Sequence, residues 1–288
     1  MKNIALRIVF ILLIFLFVGG LVYAGSTVLE NRLLVEAALL IFGIQFVVFL
    51  PSYWAQTEHF YDLTGGITYL STMGYMAYGH QQIFGDWDLR SIVLTALIGL
   101  WAIRLSSFLF TRVKRVGKDG RFDSLKTSFT RFLLTWMLQG LWVFMCTYPA
   151  LIALASPSKS ESTFLLIGSG VWVVGWIYQV IADRQKTAFN KNPNNEGKFI
   201  NVGLWKQSRH PNYVGEVVLW TGITLIAVPV FEAGQWMGCI TPLFVYWLLN
   251  KVSGVNLLEA RADKKWKNDP AYEQYKKDTP IFFPNLLN

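Results

Sequence analysis

Eight apolar runs separated by short polar stretches constrain how this 288-residue chain can fold. Most of them reach the roughly 17–25 residues that a helix needs to cross a bilayer. Only 15% of the residues are charged, whereas a typical soluble domain has roughly 25%. The sequence therefore predicts an all-α, polytopic integral membrane bundle of about eight transmembrane helices. The predicted spans are residues 6–24, 33–50, 63–79, 91–110, 132–155, 163–182, 213–231 and 236–250.

The first run admits two interpretations. It follows Lys2 and Arg7, and Val22 and Ala24 suit the cleavage site of a secretory signal peptide. Its apolar stretch is longer than the usual roughly 7–15 residues of such a peptide, and seven further spans follow. We therefore expect a retained membrane helix.

The basic residues predict the orientation. If both termini lie in the cytoplasm, the opposite side holds only Arg32, Arg90 and Lys159 of the 26 Lys and Arg residues. Arg104 lies within a span, and all the others are cytoplasmic. Because cytoplasmic loops of membrane proteins are enriched in Lys and Arg, we expect both termini in the cytoplasm. Basic loops of this kind also contact anionic membrane lipids.

The cysteines and histidines indicate neither a disulfide framework nor a metal site. Cys146 and Cys239 both lie in apolar runs, and the three histidines (His59, His80 and His210) lie far apart in the sequence. Nothing points to nucleic acid or to an obligate protein partner.

A single membrane domain is expected over residues 1–288. Residues 1–30 would form an additional N-terminal span, and residues 251–288 a cytoplasmic amphipathic tail. The tail would lie on the membrane surface or fold back over a cytoplasmic site.

A basic loop and the end of the sixth span carry two of the polar clusters. Arg112 and Arg115 are among the basic residues of the loop, and such side chains clamp phosphate or simply set topology. In the sixth span, Gln179, Asp183 and Lys186 share one helical face. A carboxylate at membrane depth usually has a function, although Asp183 could merely pair with Lys186.

The third polar cluster, "GLWKQSRHPNYVGE", stands at the start of the seventh span. Pro211 suits a first helical turn, so Asn212, Glu216 and Trp220 share a face. Arg209 and His210 precede this N-terminus, where free N–H groups favour an anion. The cluster would bind a phosphate-bearing cofactor, with the Asn212 amide suited to a nicotinamide, or it is a capped helix start.

These motifs resemble the steroid 5α-reductase C-terminal superfamily. "SRHPNYVGE" and the tail "LLEARADKKWKNDPAYEQYKKDTPIFFP" are most similar to its bacterial DUF1295 branch. Sterol reductases and isoprenylcysteine carboxyl methyltransferases are more distant relatives. The resemblance is strong over residues 165–284, is weaker over 50–130, and implies NADPH as cofactor.

The resemblance also implies roles for individual residues. Asn212 and Glu216 would hold the nicotinamide end, with Trp220 close by, and Asp183 the ribose or pyrophosphate. Lys198 stands where the steroid enzymes have an arginine. The remaining cofactor contacts would come from Arg209, His210, Glu259 and either Arg112 or Arg115.

Substrate activation is the least well matched part of the resemblance. The steroid reductases polarise an enone with a Glu and a Tyr. The acid would be Asp62 here, but the tyrosine position falls near Trp101, so that Tyr61 or Tyr69 would have to substitute.

We therefore expect a membrane-embedded NADPH-dependent reductase of a lipophilic enone or another activated double bond. The substrate would enter from the bilayer. One alternative is an S-adenosylmethionine-dependent methyltransferase that uses Arg209, His210 and Glu259. Another is a non-catalytic lipid-binding or scaffold protein. The DUF1295 likeness favours a bacterial plasma membrane over an endoplasmic reticulum membrane.

Overall fold

The computed structural model describes residues 2–116, 120, 122–159, 163–252 and 254–284, and within these ranges the fold is helical without a β-strand. The α-helices are α1 (Lys2–Ser26), α2 (Leu33–Trp54), α3 (Tyr61–Phe84), α4 (Leu89–Val116), α5 (Phe129–Ala155), α6 (Thr163–Lys191), α7 (Pro211–Ala227), α8 (Thr241–Trp247), α9 (Val255–Lys265) and α10 (Pro270–Asp278).

Six of the described helices are long and apolar enough to cross a membrane, which confirms the prediction of a helical membrane bundle. They are α1, α2, α4, α5, α6 and, with the short 3-10 helix that follows it, α7. Helix α3 has 24 residues but is not among the six. The number of eight spans stays a prediction, as does the cytoplasmic position of both termini.

The predicted span 236–250 is not one continuous α-helix. A 3-10 helix, Ala233–Ile240, is followed by the seven residues of α8 and then by a π-helix, Leu248–Val252. Gly234, near the start of this 3-10 helix, packs closely on α1, because a Cβ there would collide with the backbone of Ala24. The apolar composition of this segment did not reveal the interruption.

The chain divides into two compact units. The first, called the N-terminal unit here, comprises Met1–Leu165 and Thr224–Cys239. The second, called the C-terminal unit, comprises Leu166–Ile223 and Ile240–Asn288. The single membrane domain expected from the sequence stays a prediction.

Helix α5 forms the core of the N-terminal unit. Its Trp136, Phe144 and Tyr148 are fully buried, and α1, α2 and α3 all contact it. The Tyr148 hydroxyl donates a 2.6 Å hydrogen bond to the carbonyl oxygen of Leu21. Because this apolar helix is covered by its neighbours, α5 is a central packing element of the unit.

Buried polar contacts join the other helices of the N-terminal unit. The Gln45 amide on α2 donates to the Thr68 hydroxyl on α3 at 2.8 Å. His80 on α3 lies 2.8 Å from the Asp88 carboxylate, and its other ring nitrogen lies 2.9 Å from the Leu154 carbonyl oxygen. These contacts fix α3 against α2, α5 and the start of α4.

Helices α6 and α7 of the C-terminal unit approach each other through glycines. A Cβ on Gly175 would lie 2.8 Å from the Gly215 carbonyl oxygen, and a Cβ on Gly215 would lie 2.6 Å from the Gly175 carbonyl oxygen. About two turns further along α7, Gly222 makes the same kind of approach to the Gly168 carbonyl oxygen. Small residues allow such backbone contact between membrane helices.

The glycine contact predicts a difference between two equal substitutions on α6. Gly175→Ala should lower the free energy of unfolding by about 1–3 kcal/mol, as overpacking does elsewhere, because the new methyl group meets α7 backbone. Gly170→Ala should leave stability unchanged or raise it slightly, since nothing lies within 4 Å of the added carbon. Thermal unfolding in detergent measures both, and equal effects would contradict the contact.

Candidate functional site

The C-terminal unit contains a cavity of about 310 Å³. Its walls come from the last turns of α6, the segment 198–210, α9 and α10. Three kinds of side chain predominate in the lining. The basic ones are Lys186, Lys198, Arg209, Arg261 and Lys265; the aromatic ones are Phe199, Trp205, Trp266, Tyr272 and Tyr275; and the acid in the described lining is Glu259.

An aromatic cluster forms one wall of this cavity. The Phe199 ring lies 5.3 Å from the rings of both Tyr272 and Tyr275, and 5.9 Å from Trp266. The Trp266 indole donates a 2.6 Å hydrogen bond to the Gly197 carbonyl oxygen. The wall therefore ties the C-terminal tail to the loop that follows α6.

Trp205 connects the opposite sides of the cavity. Its indole N–H donates to the Ala182 carbonyl oxygen of α6 at 3.0 Å, and its own carbonyl oxygen accepts from the Tyr275 hydroxyl at 2.6 Å. The Lys186 ammonium lies 4.5 Å from the centre of the Trp205 ring. The tail predicted to be amphipathic thus supplies one side of the cavity.

Gly203 explains how the chain turns into Trp205. Its φ of 58° lies in the left-handed region, and an added Cβ would lie about 2.5 Å from the Gln185 side-chain amide. The Gln185 side-chain oxygen in turn accepts from the backbone N–H of Leu204 at 2.9 Å. The backbone conformation at this position and its packing against Gln185 therefore both require the glycine of the "GLW" motif.

Glu259 binds both residues that precede α7. One of its oxygens accepts from the Arg209 guanidinium, and the other lies 2.7 Å from Nε2 of His210. The His210 ring also stacks on Tyr213, with 5.7 Å between ring centres. These contacts hold α9 against the N-terminus of α7, at the floor of the cavity.

Burial lowers the pKa of His210 below its ordinary value, and the nearby positive charges of Lys186 and Arg209 act in the same direction. The Glu259 carboxylate opposes this shift without reversing it. The neutral imidazole is therefore favoured at neutral pH, and Arg209 provides the permanent charge of the pair.

Four of the sequence-predicted cofactor residues line the cavity: Lys198, Arg209, His210 and Glu259. Asp183, Asn212, Glu216 and Trp220 are not part of its described lining. Their assigned roles stay predictions.

Glu216 is instead held at the contact between α6 and α7. Its carboxylate accepts from the Gln179 amide and, at 3.0 Å, from the Trp220 indole N–H. Asn212 is half-buried in the first turn of α7, and Asp183 is buried on α6. The predicted polar face of α6 therefore contacts α7 through Gln179.

The predicted substrate-activating residues lie in the N-terminal unit. The Tyr61 hydroxyl donates to the Thr135 carbonyl oxygen at 3.0 Å, and Asp62 is half-buried in the first turn of α3. Tyr69 contacts Trp101 edge to face, with 4.9 Å between ring centres. The side chains of Arg112 and Arg115 lie outside the described residues.

Sequence reasoning missed Phe199, Trp205 and Lys265 as site residues. The stretch "GKFINVGLWK" contains two pairs of adjacent basic and aromatic residues, and this pattern was the available signal. The contact between this stretch and the aromatic residues of the tail could be recognised only in the folded structure, because Phe199 and Tyr272 are far apart in the sequence.

His210 predicts how stability depends on pH. Its folded pKa lies below the unfolded value of about 6.5, so the unfolded state binds more protons as pH falls through that value. The contribution of His210 to stability should therefore decrease on acidification. His210→Gln should flatten this dependence in thermal unfolding between about pH 8 and pH 5.5. An unchanged slope in His210→Gln would contradict the assignment.

Two comparisons with known proteins bear on this site. A stretch of 108 residues is 28% identical to the probable O-methyltransferase ustE of Ustilaginoidea virens, and the match covers 36% of each chain. The chain therefore spans about a third of the length of that relative. A family described as a protein of unknown function, DUF1295, matches residues 48–279. This match covers all the segments that line the cavity, and it confirms the resemblance to the DUF1295 family found in the motifs. The chain belongs to the DUF1295 family.

Proposed function

We propose that this integral membrane protein is a reductase that binds NADPH in the cavity of its C-terminal unit. The observation that supports this most is the lining, in which five Lys and Arg side chains face a single described carboxylate. The aromatic wall adds flat surfaces on which a nucleotide base can stack. A cavity with these two properties suits a ligand that carries both phosphate and a planar ring.

The charge of the lining separates the two candidate cofactors. NADPH carries a pyrophosphate and a further phosphate monoester, whose charge is roughly −1.5 to −2 at pH 7. S-adenosylmethionine carries one carboxylate against a sulfonium and an ammonium group, so its net charge is positive. A cavity with an excess of Lys and Arg attracts the first and repels the second.

The size of the cavity suggests which part of NADPH it holds. Its volume of about 310 Å³ lies at the small end of the roughly 300–1,000 Å³ that is usual for ligand sites. We assign it to the phosphate-bearing adenine nucleotide. The nicotinamide end would then pass His210 toward Asn212, and Glu216 lies one turn further along α7.

NADPH, when bound, supplies the hydride; the protein must orient it and polarise the substrate. That Asp62 or Tyr69 polarises the carbonyl of a lipophilic enone stays a prediction from the family resemblance. Tyr61 is less suited, because its hydroxyl proton is already donated to the Thr135 carbonyl oxygen. The bacterial plasma membrane remains the predicted location.

A methyltransferase is the second candidate, and the similarity to the probable O-methyltransferase favours it. The aromatic wall could face a sulfonium through cation–π contacts. The surplus of Lys and Arg in the lining argues against it. A non-catalytic scaffold protein would have no use for a cavity lined by Lys and Arg.

Thermal unfolding of the purified protein in detergent separates these functions. NADPH should raise the unfolding midpoint, because a ligand present at 100 times its dissociation constant stabilises a protein by about 2.7 kcal/mol. NADH should do so less, since it lacks the additional phosphate. Stabilisation by S-adenosylmethionine alone would favour the methyltransferase, and stabilisation by none of the three would favour the non-catalytic role.

Matched variants locate the site in the same assay. Lys198→Ala should weaken the effect of NADPH, because this side chain lines the cavity, and Asn212→Ala should weaken it if the nicotinamide assignment holds. Lys277→Ala, an equal change on exposed α10 outside the described lining, should leave it unchanged. Equal losses in the lysine variants would mean that the cavity is not the binding site.

A further inference from the structure

We propose that Glu259 is an internal counter-ion that makes the cavity selective for phosphate over carboxylate ligands. The inference rests on the proposed nucleotide-binding function of the same cavity. It concerns what Glu259 does to a ligand, and it differs from a direct cofactor contact, the role that the family resemblance implies.

Glu259 occupies the position that an anionic ligand would take. Its two oxygens bind Arg209 and His210, the two groups that stand before the N-terminus of α7. The free N–H groups of a helix N-terminus favour a negative charge, and Arg209 adds a fork that matches phosphate oxygens. In this structure the carboxylate of Glu259 contacts one guanidinium nitrogen of Arg209 and Nε2 of His210.

The side chain of Glu259 can leave this position at moderate cost. It is 19% exposed, whereas the side chains of Arg209 and His210 are only 10% and 6% exposed. A ligand that displaces it would therefore leave Glu259 free to turn toward water. Arg209 and His210, in contrast, are held in place by their surroundings.

Displacement favours phosphate over carboxylate. A ligand carboxylate that replaces Glu259 exchanges one such group for another, gains no charge, and competes with a group that the chain already holds nearby. A phosphate monoester brings roughly −1.5 to −2 charge units and three strong acceptor oxygens. Hydrogen bonds from arginine to such oxygens are among the stronger ones in proteins.

The alternative is that Glu259 positions Arg209 for the ligand. Both roles use the same contacts, but they predict opposite effects when the charge is removed. A counter-ion that competes with the ligand weakens binding, whereas a positioning carboxylate strengthens it. The sign of the change in affinity therefore decides between them.

The test compares Glu259→Gln with the wild type by calorimetric titration in detergent. NADP⁺ should bind the variant more tightly by roughly two- to fivefold, the range expected when a partly exposed ion pair no longer competes. The affinity for S-adenosylhomocysteine, which offers a carboxylate, should increase by a larger factor. The ratio of the NADP⁺ affinity to the S-adenosylhomocysteine affinity should therefore be smaller in Glu259→Gln than in the wild type. Equal or weaker binding of NADP⁺ by Glu259→Gln would overturn the inference.

Two further variants control the experiment. Glu259→Asp keeps the charge but shortens the reach, so it should weaken the contact with Arg209 and His210 and tighten NADP⁺ binding by less than Gln does. Glu273→Gln makes the same chemical change on α10, where the carboxylate contacts Lys276 and does not line the described cavity. Its affinity should equal that of the wild type.

Inorganic pyrophosphate separates this inference from the proposed function. If neither the wild type nor Glu259→Gln binds NADP⁺, the reductase proposal fails. Tighter binding of pyrophosphate by Glu259→Gln would then still support the counter-ion role. Unchanged binding of pyrophosphate by all variants would overturn that role as well.

Discussion

The glycine contact between α6 and α7 fixes the helix ends on which the cavity depends. Gly175 and Gly215 let the two backbones approach until a Cβ on either residue would lie less than 3.0 Å from the carbonyl oxygen of the other. Glu216 then reaches the Gln179 amide across the contact. Because the helices are aligned in this way, Lys186 at the end of α6 and Arg209 just before α7 both line the cavity.

The C-terminal tail supplies the remaining walls of the cavity. Its α9 carries Glu259 to Arg209 and His210, and its α10 carries Tyr275 to the carbonyl oxygen of Trp205. Each contact joins segments that are far apart in the sequence. The cavity therefore has an aromatic wall and a basic lining. The one carboxylate among its described residues, that of Glu259, already binds Arg209 and His210.

Much of the fold could be predicted from the sequence, because a run of apolar residues long enough to cross a bilayer has few structural options. The interruption of the predicted span 236–250 could not, because a continuous helix and a succession of 3-10, α and π segments can have the same apolar composition. Composition averages over a window and does not detect a change of helix type within it.

The candidate site was predicted in part. The "RHPNYVGE" motif identified Arg209 and His210 as neighbours of a helix N-terminus, and the family resemblance added Lys198 and Glu259, all four of which line the cavity. Asn212 and Glu216 lie on α7 beyond that lining. Phe199 and Trp205 were missed because an aromatic residue in a loop becomes part of a site only through its distant partners.

Covalent labelling of lysine amines, read by mass spectrometry with and without NADPH, tests the central claim most directly. Lys265 lines the cavity and its neighbour Lys264 does not, although both are exposed on α9. If the cavity holds the phosphate-bearing half of the cofactor, NADPH should protect Lys198 and Lys265 while Lys264 is labelled as before. If saturating NADPH changed the labelling of Lys264 and Lys265 by the same factor, the account would be contradicted.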